Sequence, residues 1–309
     1  MIAETIVALA MILLGANALT DGASSVAKRF GVPDLVIGLT IVALGTSAPE
    51  FIVSLTSALH GSTGMSVGNV VGSNIFNTLI IVGVSAMIVP IHINKGTLSK
   101  DIPLNLIACI VLAAVIYDGK IDGADGTVLV CMFAIFMRHT FSLAQNSQTA
   151  DEAEITQEMN MAKSALWIVG GLTLLVVGGN LFVDGGSKIA RLIGIPESII
   201  ALTLMSGGTS LPELATSVVA ARKGNVDMAI GNVIGSNIFN IFFVLGICGM
   251  VTPLQPEGIG MLETTTLIAS GLLLWTTGMF YKTRTITRLE GVLLFAIYCA
   301  YTGMLIYRL

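Results

Sequence analysis

The sequence predicts an all-α membrane protein in which ten transmembrane helices form two inverted repeats of five helices each. This prediction rests on an apolar composition, ten long apolar segments, and two halves that match each other. Of the 309 residues, 54% are hydrophobic and only 11% are charged, whereas soluble domains average about 25% charged residues. So few charged side chains cannot cover a water-facing surface, and we expect most of the surface to contact lipid. The net charge of −4, without a basic cluster, gives no indication of nucleic-acid binding.

Ten segments are apolar enough, and long or nearly long enough, to cross a membrane. A bilayer core of about 30 Å is spanned by a helix of about 20 mostly apolar residues. The first segment has no basic region before it and only one early charge, Glu4, so we expect a membrane span rather than a cleaved signal sequence. The ten predicted spans are approximately residues 3–24, 34–58, 67–90, 102–117, 125–141, 164–186, 197–221, 228–251, 261–280 and 286–307.

The distribution of basic residues predicts how these spans are oriented. With ten spans, successive loops alternate between the two sides, and both termini share one side. The loops on the side away from the termini hold 11 of the 15 lysines and arginines, and the terminal side holds 4. Basic residues are enriched in cytoplasmic loops. We therefore expect an integral protein of the cell membrane, plasma or inner, with both termini outside the cytoplasm.

The spans divide the chain into two halves joined by a polar linker. We assign residues 1–141 to a first five-helix repeat with its main motif at 43–77, and residues 163–309 to a second with its motif at 206–240. We interpret the intervening segment, 142–162, as a solvated cytoplasmic tether; an acidic cation site is the alternative. Its acidic residues are Asp151, Glu152, Glu154 and Glu158.

The two halves match each other at a constant offset of 163 residues. Because each half holds an odd number of spans, the second half enters the membrane from the opposite side, and the repeats are inverted. Inverted repeats are typical of secondary transporters, whose sites lie near the membrane midplane at the repeat interface. The matching pairs include Asn17 with Asn180, Asp21 with Asp184, Gly45–Glu50 with Gly208–Glu213, and Gly68–Asn77 with Gly231–Asn240.

Glu50 and Glu213 are equivalent in this repeat and fall near the middle of the second and seventh spans. An ionisable side chain at that depth costs about 2.5–3.5 kcal/mol on insertion scales and is by default a functional hypothesis. A protonated carboxyl that hydrogen-bonds a neighbouring helix is the packing alternative. Two carboxyls in the same sequence context favour a functional role, and we expect them at the centre of a cation site.

Each glutamate follows a proline, and the prolines predict broken helices in spans 2 and 7. Pro49 and Pro212 have no N–H group, so the carbonyls of Gly45 and Gly208 lose their helical donors. Free oxygen atoms of this kind suit Ca²⁺, which takes about six to eight oxygen ligands. No histidine or cysteine lies in these segments, which argues against zinc or copper. The hydroxyl side chains beside the glutamates are those of Thr46, Ser47, Thr209 and Ser210.

The third and eighth spans supply further oxygen atoms. Ser73 and Asn77 are four residues apart, as are Ser236 and Asn240, so each pair lies on one face of its helix. Glycines on the same faces allow close approach of the broken helices. Two ionised glutamates carry a charge of −2, which one Ca²⁺ or two Na⁺ ions would neutralise. This arithmetic is compatible with exchange of the two cations at one site.

The chain resembles the calcium/cation antiporter superfamily, and within it the prokaryotic ten-helix sodium/calcium exchangers. The resemblance covers nearly the whole chain and rests on two GTSxPE and two GNxxGSNIFN blocks, which correspond to the family's two alpha-repeats. It implies electrogenic exchange, typically of three Na⁺ for one Ca²⁺. It also implies that the first and sixth helices slide across a core formed by the other eight.

Carried over by position, the family's cation ligands fall on residues of both repeats. Asn240 replaces the Asp that some archaeal relatives and the potassium-dependent exchangers carry in the second repeat, which disfavours a potassium requirement. Ser206 replaces the alanine common in relatives, and a backbone ligand tolerates this change. The implied ligands are the side chains of Glu50, Thr46, Ser47, Ser73, Asn77, Glu213, Thr209, Ser210, Ser236 and Asn240, and the backbone carbonyls of Ala43 and Ser206.

Four polar residues on the first and sixth spans are expected to act in gating or to line the ion passageways rather than to bind the ions: Asn17, Asp21, Asn180 and Asp184. We expect no cofactor, no enzymatic activity and a functional monomer, with Ca²⁺, Na⁺ and the lipid bilayer as partners. The alternatives are proton/calcium, potassium-dependent or magnesium exchange on the same fold, a cation channel, and an intramembrane hydrolase. Proton coupling is less favoured, because that branch usually shows GNxxE in place of GTSxPE.

Overall fold

The computed structural model describes residues 2–146, 159–192, 194, 206–280 and 284–308, and most of them are helical. Most of the predicted linker lies outside the described residues. So does the first part of the predicted seventh span. The predictions made for those two segments are therefore not tested by the structure.

The predicted second span is broken in the middle, as the proline at position 49 indicates. The break lies at Ser47, whose φ and ψ are −84° and 6°, and the helical axis bends there by 46°. After α1 (Ile2–Phe30), this span consists of α2 (Asp34–Ile37), a π-helical turn (Gly38–Val42), α3 (Ala43–Thr46) and α4 (Ala48–Leu59).

The rest of the first half consists of three longer helical stretches, two of which contain a π-helical turn. A short strand, β1 (Ile91–His92), separates the first two stretches. The helical elements are α5 (Thr63–Phe76), a π-helical turn (Asn77–Ile81), α6 (Val82–Ile88), a π-helical turn (Thr97–Asp101), α7 (Ile102–Val115), a 3₁₀ turn (Ile116–Asp118) and α8 (Gly123–Asn146).

The second half repeats several of these features. The strand β2 (Thr285–Ile286) pairs antiparallel with β1, with Ile91 opposite Ile286, and so joins the two halves by a ladder that the sequence did not indicate. The helical elements are α9 (Met161–Leu192), α10 (Ser206–Gly208), α11 (Leu211–Arg222), α12 (Val226–Ile238), a π-helical turn (Phe239–Val244), α13 (Leu245–Val251), α14 (Met261–Phe280) and α15 (Arg288–Arg308).

Among the described residues, seven helices are long and apolar enough to cross a membrane, or eight if the bent pair around Ser47 forms one span. The chain is thus a helical membrane protein. The predicted ninth span is present as the helix α14, which is not among these seven. The arrangement of ten spans in two inverted repeats stays a prediction. The seven helices are Glu4–Phe30, Thr63–Ile88, Thr97–Asp118, Gly123–Ser142, Met161–Leu192, Val226–Val251 and Arg288–Arg308.

Glycines allow α1 and α9 to pack with their backbones in contact. A Cβ atom added to Gly15 would lie 2.8 Å from the carbonyl oxygen of Gly171, and one added to Gly178 would lie 3.0 Å from that of Ala8. In lipid, the hydrophobic effect does not drive helices together. Small residues at the interface let the two backbones approach closely enough for van der Waals packing. The contact runs along much of both helices, so the two form one packed pair.

A second set of glycines joins the two halves next to the break in the second span. A Cβ atom on Gly38 would lie 2.6 Å from the carbonyl oxygen of Met228, and one on Gly231 would lie 2.6 Å from that of Leu35. The segment that leads to Ser47 therefore packs backbone to backbone against α12. This contact fixes the distance between the broken helix of one half and α12 of the other.

We predict that Gly231→Ala destabilises the protein, because its methyl group would overlap the Leu35 carbonyl. Overpacking of this kind costs about 1–3 kcal/mol. The measurement is the midpoint of thermal unfolding of the purified protein in detergent, which should fall clearly.

The matched control is Gly170→Ala in α9, where an added Cβ atom meets nothing within 4 Å. Alanine favours a helix over glycine by about 1 kcal/mol, so the midpoint of this variant should stay unchanged or rise. Equal shifts in the two variants would show that the contact between Gly231 and Leu35 does not limit stability.

Candidate cation-binding site

The two glutamates of the repeat are fully buried, and each is hydrogen-bonded by a serine of the other half. Glu50 and Glu213 are both 0% exposed. The hydroxyl of Ser47 donates to Oε1 of Glu213 at 2.7 Å, and the hydroxyl of Ser210 donates to Oε1 of Glu50 at 3.1 Å. Since these bonds cross between the halves, they bring the two GTSxPE motifs together into one site.

The other oxygen of each carboxyl group is buried without a hydrogen-bond partner in the described part of the chain. Neither glutamate forms an ion pair with a described basic residue. Burial of a polar group without a partner costs free energy, so a cluster of such groups calls for an explanation. Of the buried side-chain oxygens in this state, six belong to predicted ligands and form three pairs of equivalent atoms: Oε2 of Glu50 and Glu213, Oγ of Ser73 and Ser236, and Oδ1 of Asn77 and Asn240.

Helix ends place the two carboxyl groups. Ser210, at φ −89° and ψ 6°, precedes α11 just as Ser47 precedes α4. Glu50 and Glu213 therefore lie in the first turn of a helix. The first turn carries unpaired N–H groups and the positive end of the helix dipole, which stabilise a negative charge. The two breaks thus place the positive end of a helix dipole at each buried carboxyl group, which offsets part of the cost of burying a charge there.

The threonines of the motif lie beside this pair. The Thr46 hydroxyl is 3.1 Å from the carbonyl oxygen of Val42 and 3.2 Å from Oδ1 of Asn232, while the Thr209 hydroxyl lies next to the Glu50 carboxyl group. The carbonyl oxygen of Ala43 accepts a hydrogen bond from the N–H of Ser47 at 3.0 Å. The Thr46 hydroxyl also lies 3.4 Å from this oxygen. Since that hydroxyl has one hydrogen and nearer acceptors, and a carbonyl oxygen has two lone pairs, the Ala43 oxygen can still accept an ion.

The remaining predicted backbone ligand, Ser206, begins the short helix α10. The residues before it lie outside the described part of the chain. The structure therefore places this backbone group at the start of the break in the seventh span, without describing what precedes it.

The two asparagines of the predicted site both lie in π-helical turns, a feature that the sequence did not indicate. Asn77 begins one turn, and Asn240 is the second residue of the other. Such turns occur frequently at functional sites. The first turn packs against α11 and the second against α4, and Phe51 contacts Phe243 with ring centroids 5.5 Å apart. Each asparagine is thereby placed beside the broken helix of the opposite half.

Sequence reasoning missed four asparagines that support the site. Asn69 donates to the carbonyl oxygen of Glu50 at 3.2 Å and to the Ser54 hydroxyl at 2.9 Å. Asn232 makes the equivalent bonds to Glu213, at 3.3 Å, and to Ser217, at 2.9 Å. Their signal was present, because both lie in the repeated GNxxGSNIFN block. The other two, from the same block, are Asn74 and Asn237.

The four predicted passageway residues are not joined to the glutamates by the hydrogen bonds recorded among the described residues. Asn17 donates to the carbonyl oxygen of Leu13, and Asp21 forms an ion pair with Lys223 at 2.7 Å. This ion pair links α1 to the end of α11. The equivalent residues on α9, Asn180 and Asp184, are exposed.

Comparison with known proteins identifies the family of the chain. The family model described as sodium/calcium exchanger protein matches residues 2–141 and 163–307. The inner membrane protein YrbG of Escherichia coli K12 is 36% identical over 80% of this chain and 79% of its own length. The sodium/calcium exchanger MaX1 of Methanosarcina acetivorans is 32% identical over 97% of this chain and 96% of its own.

Among solved structures, the sodium-calcium exchanger NCX_Mj, soaked with Na⁺ and Sr²⁺, superposes with a TM-score of 0.85 at 33% sequence identity. The match covers 98% of this chain and 97% of that one. The family model thus spans both halves of the chain, and a solved exchanger matches it almost end to end. This chain therefore belongs to the sodium/calcium exchanger protein family.

Proposed function

We propose that this protein is a secondary antiporter that exchanges Na⁺ for Ca²⁺ across the membrane by alternating access, and that the exchange is electrogenic. The single observation that carries the proposal is the set of six buried, unpartnered oxygens at the proposed ligand positions, two of which belong to Glu50 and Glu213. These are hard ligands, and their number matches the lower end of the Ca²⁺ coordination range of about six to eight. MaX1 and NCX_Mj, which are similar over nearly the whole chain, carry the names of sodium/calcium exchangers.

The charge of the site supports exchange of these cations. Glu50 and Glu213 are the acidic side chains among the proposed ligands, since the other positions hold serine, threonine, asparagine and backbone oxygens. Two carboxylates give −2, which one Ca²⁺ neutralises completely. Two Na⁺ ions do the same, and a third can bind to the neutral oxygens. The two loads share ligands, so both cannot occupy the site together.

The proposal includes the ten-span architecture with inverted repeats and both termini outside the cytoplasm. An inverted repeat supplies a route to alternating access, because each half can adopt the conformation of the other. The packed pair of α1 and α9 contacts both broken helices: Leu172 lies 2.7 Å from the position of a Cβ atom on Gly45, and Val183 contacts Gly208. Movement of this pair would open the site to one side or the other.

Loss of either carboxylate should nearly abolish transport. Glu50→Gln and Glu213→Gln each remove one of the two carboxylates that balance the charge of Ca²⁺. Removing one partner of a buried ion pair costs about 3–5 kcal/mol. We expect the Ca²⁺ affinity to fall about a hundredfold or more. The measurement is sodium-driven uptake of radioactive calcium into proteoliposomes.

The matched control is Glu257→Gln, the same chemical change at an exposed position outside the site. It should transport at the rate of the unchanged protein. Near-normal flux in either Glu50→Gln or Glu213→Gln, with the protein folded, would contradict the site.

A sodium gradient alone should drive calcium uptake, because the site contains cation ligands that suit both ions. We expect uptake into proteoliposomes loaded with Na⁺ and diluted into Na⁺-free buffer, with no potassium requirement. Uptake driven only by a pH gradient would indicate proton coupling. Uptake without any counter-ion gradient would indicate a channel.

Membrane potential should shift the calcium distribution at equilibrium. Exchange of three Na⁺ for one Ca²⁺ moves one net charge, and one charge across about 100 mV is worth about 2.3 kcal/mol. We therefore expect about a fiftyfold change in the calcium ratio for that potential, measured with the potential clamped by potassium and valinomycin. A ratio that does not respond to potential would show electroneutral exchange of two Na⁺ for one Ca²⁺.

A further inference from the structure

The orientation of one side-chain amide at the site is fixed by a backbone carbonyl of the other half. Nδ2 of Asn74 donates to the carbonyl oxygen of Asn237 at 3.1 Å. A carbonyl oxygen can only accept, so the amide nitrogen of Asn74 must face it, and Oδ1 of Asn74 must point the opposite way. Both side chains are fully buried, which leaves no water to take over this bond.

The orientation of the Asn74 amide determines the orientation of the Asn240 amide. Oδ1 of Asn74 accepts a hydrogen bond from Nδ2 of Asn240 at 3.3 Å. Because the nitrogen of Asn240 is engaged in this way, its oxygen is the atom left over. That oxygen is one of the six unpartnered oxygens of the predicted ligands. A flipped amide would instead turn its N–H groups toward the ion and would place two acceptors against each other at Asn74.

The equivalent hydrogen-bonded arm, which runs from Thr78 through Asn237 to Asn77, begins at a different anchoring group. Nδ2 of Asn237 donates to the Thr78 hydroxyl at 3.0 Å, and Oδ1 of Asn237 accepts from Nδ2 of Asn77 at 3.1 Å. Oδ1 of Asn77 is again left without a partner. The position equivalent to Thr78 is Ile241, which has no hydroxyl group. The two arms therefore share their result but not their anchor. A backbone carbonyl, which only accepts, fixes Asn74, whereas the Thr78 hydroxyl, which accepts here but can also donate, holds Asn237 in the observed orientation.

We propose that Asn74 and Asn237 are positioning residues that lock the amide groups of Asn240 and Asn77 so that both present oxygen to the transported cation. The inference rests on the proposed function and names the residues that set the ligand atoms of that site. Asn74 and Asn237 do not themselves contact the ion in this arrangement. They act through the amide that each one holds.

The first test replaces Asn74 by leucine, which has nearly the same shape but neither donates nor accepts. With its acceptor gone, the Asn240 amide can rotate and turn its N–H groups toward the ion. Loss of such a supporting partner typically weakens metal binding by about 10–100-fold. We expect Asn74→Leu to weaken Ca²⁺ binding by at least about tenfold, measured by titration calorimetry on the purified protein.

The decisive test combines this change with Asn240→Asp. A carboxylate has oxygen on both sides, so its ligand atom does not depend on rotation. Asn74→Leu should therefore cost at least about tenfold when Asn240 is unchanged, but less than about twofold in the Asn240→Asp background. A role of Asn74 in folding alone would give the same loss in both backgrounds, and that result would overturn the proposal.

Two further variants keep the test informative. Asn105→Leu exchanges another fully buried asparagine, on α7, and should leave Ca²⁺ affinity within about twofold. Should Asn74→Leu fail to fold, Thr78→Val removes only the hydroxyl that anchors Asn237, and its effect should disappear in the Asn77→Asp background. Losses of equal size in both backgrounds would contradict the inference for this arm as well.

Ca²⁺ binding by the unchanged protein distinguishes a failure of the proposed function from a failure of the positioning role. If it binds no Ca²⁺ in the titration, the proposed function fails. If it binds Ca²⁺ but the effects of the paired changes multiply independently, the proposed function stands and the positioning role of Asn74 and Asn237 is wrong.

Discussion

The structure depends on the burial of two carboxyl groups that the described chain alone does not satisfy. Each of Glu50 and Glu213 receives one serine hydroxyl from the opposite half and retains one oxygen without a partner. Removing such groups from water is costly, and only charge-stabilising surroundings reduce that cost. The helix breaks supply the positive ends of α4 and α11, and glycine contacts such as that of Gly231 with Leu35 bring the halves close enough for the crossed bonds.

Much of this site could be predicted from the sequence because it is repeated at an offset of 163 residues. The repeat identified Glu50 and Glu213 as equivalents, and the prolines predicted the break that the structure shows at Ser47. The offset shows which residues of the two halves are equivalent, but it does not show which residues are in contact. The serine-to-glutamate crossing and the asparagine chain are such contacts. The π-helical turns also escaped prediction, because they leave no mark on hydrophobic periodicity.

The two halves are equivalent in sequence but not in environment, and the differences are local. Asn74 is anchored by a backbone carbonyl, whereas Asn237 depends on Thr78, whose equivalent is an isoleucine. Near the end of α11, Lys223 pairs with Asp21, while the residue equivalent to that lysine is His60. The proposed inverted-repeat architecture requires such asymmetry in any one facing state, because the two halves then hold different conformations. Residues that are identical in the two repeats therefore supply most of the proposed ligands, while these non-equivalent contacts distinguish the two halves.

On the proposed function, the same burial explains why the protein would exchange ions rather than leak them. Movement of an empty site would carry two uncompensated carboxylates and four further unpartnered oxygens through a region without water. A bound Ca²⁺ cancels the charge and gives those oxygens a common partner, and Na⁺ ions do so in a different number. Either one bound Ca²⁺ or the bound Na⁺ ions lower the energy barrier to the change between facing states, whereas this barrier stays high when the site is empty. Coupling of the two ions thus follows from the electrostatic cost of moving the site without a bound cation. The asparagine network contributes to coupling by keeping oxygen atoms, and not N–H groups, turned toward the ion.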